Sequence, residues 1–154
     1  MLMHVVLVEP EIPGNTGNIS RLCAATGCEL HLVRPLGFST DDRYLKRAGL
    51  DYWHLVKIHY YDDFSAVEKA LTGREFYFNT TKADKFYSAV AYDPQSVLVF
   101  GKETAGLPDR LLAKNKERCV RIPMQDEARS LNLSNAVAIV VYEALRQQSY
   151  NGLC

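Results

Sequence analysis

The residues best suited to chemistry lie in three loops, each following a short apolar run. The first loop, EPEIPGNTGNISR (9–21), leaves HVVLV and closes on Arg21. Where a strand turns into a helix, unpaired backbone N–H groups and the positive end of the helix dipole converge, which makes a ready site for an anion. Asn15 and Asn18 add amides to such a site, and Arg21 stands one turn further in. The segment matches neither G-x-G-x-x-G nor G-x-x-x-x-G-K-[ST], so dinucleotide and P-loop signals are missing. Taken alone it also reads as a plain turn capped by Asn15.

The second loop lies in LVFGKETAGLP (98–108), which places Gly101, Glu103 and Gly106 between a buried strand and a helix starting at Pro108. Open α/β sheets bind ligands at such strand ends, where glycine lets a ligand approach the backbone. The third, in RIPMQDEARSLNLSNA (121–136), spends about ten residues between strand and helix, more than the 2 to 6 usual in α/β units. Ile122, Met124, Leu131 and Leu133 alternate there with Ser130, Asn132 and Asn135. That mixture suits a ligand with one apolar face and several polar edges, as adenosine has.

Short β-rich runs alternating with helical patterns must position these loops, and they predict βα units around a mostly parallel sheet flanked by helices. The expected strands are 4–8, 29–33, 54–60, 75–79, 96–100 and 119–123. A first helix is expected to start at a cap on Asn15 or Thr16 and to end before Gly27. A second is expected over 41–48, a third over 64–71 capped by Asp62, and a fourth from Pro108 through Leu112. The last, over 134–148 and capped by Ser134, runs AVAIVVY with no polar side. A helix apolar all round must be covered on more than one face, by the sheet and, in so small a chain, by a second copy of it. A homodimer is the expectation.

The 154 residues suit one domain, 1–154, able to bury about 70% of the surface of its unfolded chain. No apolar run approaches the roughly 20 residues of a membrane span, and the start of the chain lacks signal-peptide features, so the cytoplasm is expected. Cys23, Cys28, Cys119 and Cys154 are scattered and read as reduced. His4, His31, His54 and His59 fall in or beside apolar runs and are assigned no chemistry, and no metal is expected. A net charge of zero argues against coating nucleic acid by bulk electrostatics but leaves room for local basic patches, one of them containing Arg43, Lys46 and Arg47.

Three segments, NTGNISR (15–21), VFGKETAGLP (99–108) and IPMQDEARSLNLSNAVAIVVYEA (122–144), occur in the order and spacing of three family motifs. With RPLGFSTDDRYLKRAGLDYW (34–53) they cover nearly the whole chain. In these motifs the chain resembles the SPOUT superfamily of RNA methyltransferases. The likeness is to its small bacterial members, which methylate the ribose 2′-oxygen of the tRNA wobble nucleotide.

The resemblance implies a C-terminal trefoil knot, S-adenosylmethionine bound in it, and a homodimer that completes each active site. It places cofactor contacts on Asn79, Gly101, Glu103, Ile122, Met124, Ser130 and Leu131. RNA contacts fall on Asn15, Asn18, Arg21, Arg43, Lys46 and Arg47. It makes the anticodon stem-loop the partner, cytidine or uridine 34 the target, and leucine isoacceptors the expected substrates. Asn79, Lys102 and Ala105 depart from the family's usual apolar residue, proline and arginine.

Arg21 is the family's candidate for activating the ribose hydroxyl. Its guanidinium stays protonated, so an electrostatic role toward the developing alkoxide and the adjoining phosphate is the expectation. Tyr142 is a second catalytic candidate, with a dimer-interface aromatic as its alternative reading. The competing functional reading is a non-catalytic RNA-binding or adenosine-binding module on the same fold. A flavodoxin-like phosphate or nucleotide binder stands further off, since it lacks a phosphate fingerprint.

Overall fold

The computed structural model describes residues 2–41, 43, 47 and 54–154. Its strands are β1 His4–Val8, β2 Glu29–Val33, β3 Ile58–Tyr61, β4 Phe76–Asn79, β5 Val97–Phe100 and β6 Cys119–Val120. They form one sheet in the order β3-β2-β1-β5-β4-β6, parallel at every pairing. The helices described are α1 Pro13–Thr26, α2 Phe64–Ala70, α3 Asp109–Lys114 and α4 Leu133–Gln147.

β1 and β5 are apolar on both faces because both faces are covered, as parallel sheets require. Val5, Leu7, Leu98 and Phe100 pack with Ile19 and Cys23 of α1 and with Val137, Val140 and Val141 of α4. Val6, Val8, Val97 and Val99 face the other way, toward Val67 of α2 and Leu112 of α3. Each fully buried aliphatic side chain stabilises the fold by roughly 1.5 to 3 kcal/mol. The two layers of helix therefore hold the central strands, and the carboxyl-terminal strand ends stay open to carry loops.

The β1, β2, β4 and β5 boundaries and the starts of α2, α3 and α4 match the sequence pattern to within a residue, whereas the start of α1 and the capping residues of α2 and α4 do not. α1 begins at Pro13 after Ile12, with no side-chain cap from Asn15 or Thr16. Asp63, not Asp62, caps α2 by accepting from the Ala66 N–H at 2.9 Å. Asn132, not Ser134, caps α4, accepting from the N–H groups of Ser134 and Asn135 at 3.0 and 3.3 Å. β3 starts four residues later than the apolar run, and β6 stops at Val120. Arg121 then makes a single parallel bridge to Phe86 before Pro123, which has no N–H for a ladder. Most of the expected helix over 41–48, including Lys46, lies outside the described residues.

Candidate active site

The carboxyl ends of β1, β4, β5 and β6 surround a cleft of about 550 Å³. All seven residues expected to hold a cofactor line it: Asn79, Gly101, Glu103, Ile122, Met124, Ser130 and Leu131. Phe100, Leu107, Ile122, Met124 and Leu131 give it apolar walls.

Its floor is made by loops that bond to one another across the sheet. The Glu103 carboxylate accepts from the backbone N–H groups of Glu11 and Ile12 at 2.8 and 2.9 Å, and from the Asn15 amide at 3.1 Å. In return, the Glu11 carboxylate accepts from the Thr104 N–H at 2.9 Å and its hydroxyl at 2.8 Å. Those bonds from Thr104 hold the Glu11 carboxyl below the usual carboxylate range. Lys102 reaches Glu9 at 3.2 Å, so the lysine that replaces the family's usual proline adds a further tie between the two loops. Asn132 donates to the Asn15 side-chain oxygen at 3.1 Å while capping α4, which joins the third loop to the first.

These ties explain why α1 needs no cap of its own. An acidic side chain at a helix N-terminus satisfies donors and favours the dipole, and Glu103 supplies it from 88 to 92 residues away. Gly101 is equally constrained. A Cβ there would lie 2.1 Å from Gly106 C and 2.3 Å from Leu107 N, so only glycine lets the loop fold back on its own strand end.

Whether the cleft suits an adenosine-type ligand turns on its free polar atoms. Asn79 donates to Val99 O at 3.1 Å, which leaves its side-chain oxygen buried with no hydrogen-bond partner. A buried acceptor without a donor is costly, and a ligand amine or hydroxyl would relieve it. With the apolar walls, this fits S-adenosylmethionine. Both Glu103 oxygens are already engaged, so the cofactor contact expected of Glu103 falls to its backbone.

The expected catalytic and RNA residues are placed differently. Arg21 and Asn18 are exposed on α1, three residues apart and so on one side of it, and Tyr142 is 44% exposed on α4. None of the three lines the cleft. Asn15, expected among the RNA contacts, is 6% exposed with its side chain directed to Glu103 and Asn132. Arg43 and Arg47 are exposed, and Lys46 lies outside the described residues. On α4, expected to be apolar all round, one face is buried through Val137, Val140, Val141 and Ala144, while Ile139 and Tyr142 stay outside.

Sequence reasoning missed Glu11 and Thr104 as builders of the site, and it named Asn132 in a ligand loop without its role as the α4 cap and tie to Asn15. A polar side chain at each end of two ligand loops is the signal that could have found them. A wider cleft of about 1050 Å³ lies beside α3, lined by Lys82, Lys85, Asp109 and Arg118 among others. Its charges are largely paired within the chain, Lys82 with Asp109 at 2.7 Å and Arg118 with Glu75 at 3.6 Å.

An all-parallel sheet with a shaped, largely apolar cleft at its carboxyl edge defines an α/β ligand-binding domain of the nucleotide-handling kind. The model of the SpoU rRNA Methylase family matches residues 2–142, and the chain belongs to that family. The tRNA (cytidine(34)-2′-O)-methyltransferase of Yersinia pestis is 50% identical over 158 residues, covering 98% of this chain and 97% of that protein. A solved structure giving insights into the 2-OH methylation of C/U34 on tRNA is 41% identical with a TM-score of 0.92, over 97% of this chain and 98% of that one. The SpoU methyltransferase AviRb from Streptomyces viridochromogenes, in complex with AdoMet, is 25% identical with a TM-score of 0.83. That match covers 96% of this chain and 58% of the longer AviRb chain.

Proposed function

We propose that this chain transfers a methyl group from S-adenosylmethionine to the ribose 2′-hydroxyl of nucleotide 34 of tRNA, cytidine or uridine, with leucine isoacceptors as substrates. The observation that carries the proposal is the convergence on one cleft of Gly101 and Glu103 from the second motif, Ile122, Met124, Ser130 and Leu131 from the third, and Asn79 from the end of β4. The similarity to proteins of that named activity supports it. The cofactor supplies an electrophilic methyl group on a sulfonium. This chain's residues hold it: Ile122, Met124 and Leu131 against its apolar face, and the unpartnered Asn79 oxygen toward a donor.

The 2′-hydroxyl must lose its proton to solvent water as it attacks, and positioning supplies much of the rate. The Arg21 guanidinium binds the adjoining phosphate, which fixes the ribose and stabilises the developing alkoxide. Because Arg21 lies outside the cleft, the site is completed by a second copy of the chain. The exposed Ile139 and Tyr142 face of α4 is the surface proposed for that contact. The reading includes one domain over 1–154, the C-terminal knot that the family resemblance implies, and action in the cytoplasm. Among the described residues, no helix is long and apolar enough to cross a membrane.

The test is incubation with S-adenosylmethionine and total tRNA from a strain lacking the activity, followed by nucleoside mapping. A 2′-O-methyl group at position 34 is expected. Cofactor binding without methylation of any tRNA would favour the non-catalytic reading instead.

A further inference from the structure

At the opposite edge of the sheet from the cleft, the register gathers side chains that the methyl-transfer chemistry does not use. His4 of β1 stands opposite Glu29 of β2, and His31 stands opposite His59 of β3. Glu29 and His31 are two residues apart and share a face of their strand. His4 Nδ1 lies 3.0 Å from His31 Nε2 and 3.4 Å from Glu29 Oε2, and His31 Nε2 lies 4.0 Å from the same oxygen. His59 Nε2 approaches that oxygen to 3.4 Å, and it is shielded from solvent with no hydrogen-bond partner.

We propose that His4, Glu29 and His31, with His59 as a fourth donor, form a binding site for one first-row divalent metal ion of the zinc class, clamping together β1, β2 and β3. A tetrahedral zinc with bonds of about 2.0 to 2.1 Å holds its ligand atoms about 3.3 to 3.4 Å apart. The three separations, 3.0, 3.4 and 4.0 Å, bracket that spacing, so the donors need shift by only a few tenths of an ångström. Imidazole with one carboxylate is a donor set that zinc, nickel and iron accept.

The surroundings favour this use. Tyr61 OH lies 2.9 Å from His31 Nδ1, and an N–H donated there leaves the Nε2 lone pair directed at the cluster, the outer support usual for a ligating histidine. Lys57 sits 3.7 Å from Glu29 Oε1, leaving Oε2 for the imidazoles. Arg74 is the opposing charge, close enough to act on both His4 and His31. The His59 side chain is 37% exposed, and it marks the entry path.

The test uses protein carrying Cys154→Ser, which removes an exposed thiol able to hold zinc by itself. After stripping with chelator, it is titrated with zinc chloride by calorimetry and melted with and without the metal. One zinc per chain is expected, with a rise in Tm of about 5 °C or more at a hundredfold excess over Kd. Glu29→Gln keeps the side-chain shape, and His59→Ala changes a partly exposed position, so both should fold; each is expected to weaken zinc binding more than about 10-fold. No stoichiometric binding, or binding that both substitutions leave unchanged, overturns the proposal.

Discussion

The two edges of one sheet solve the problem of buried polar groups in opposite ways. At the carboxyl edge, charged side chains leave their own loops and bond to the backbone of another, as Glu103 does to Glu11 and Ile12, and Glu11 to Thr104. At the amino edge, side chains on adjacent strands turn to one another, as His4 does to His31 and His31 to Tyr61. The first arrangement fixes backbone and leaves a shaped cleft with one unmet acceptor. The second fixes strands against strands and leaves a cluster of donors. A sheet alone offers both edges, but only the loops at the carboxyl edge are long enough to enclose a substrate.

The contrast can be broken most severely at Arg21, the residue proposed to fix the ribose, which lies on α1 outside the cleft. Arg21→Lys keeps the charge but loses the planar fork, and it is expected to lower kcat about 100-fold or more with little change in Tm. Activity near that of the parent would remove Arg21 from the mechanism. Gly101→Ala drives a Cβ into Gly106 and Leu107. It should cost about 3 kcal/mol in chemical denaturation and abolish cofactor binding by calorimetry.

Glu103→Ala should cost about 2 kcal/mol, because it strips the acceptor from two N–H groups and an amide. Glu103→Gln should recover part of that loss by keeping one acceptor oxygen. The smallest effect concerns Glu11. Its carboxyl titrates below the ordinary 4.5 when folded, so the unfolded chain takes up the proton first as pH falls. Its stabilising contribution is therefore complete above about 4.5 and declines as the pH drops toward the folded value. Glu11→Gln should flatten that part of a Tm against pH curve, and an unchanged slope would show that the Thr104 bonds contribute nothing.

The strands were legible because burial on both faces writes a run of apolar residues, as in HVVLV and SVLVF, that needs no knowledge of neighbours. The start of α1 was not, because the acceptor at its N-terminus is tertiary. Nothing near Pro13 announces that the N–H groups of Glu11 and Ile12 belong to Glu103, and Asn15, a good local cap by type, is used elsewhere. Six of the seven cofactor positions lie in loops that their glycines or length mark for a ligand, and the resemblance named them as contacts. Asn79 was reached through resemblance, and its orphaned oxygen appears only once β4 is paired with β5. The clustering of His4, His31 and His59 was not legible because sequence shows them 27 or 28 residues apart, while register sets them side by side.

The reciprocal bonds between the loops also set the order in which the cleft can exist. Glu103 needs the backbone of Glu11 in place, Thr104 needs the Glu11 side chain, and Asn132 needs Asn15. None of these contacts is local, so none can form well before the others. The amide hydrogens of Glu11, Ile12 and Thr104 should consequently exchange with solvent as one cooperative group, and cofactor should slow all three together. Such a pocket opens as a unit or not at all.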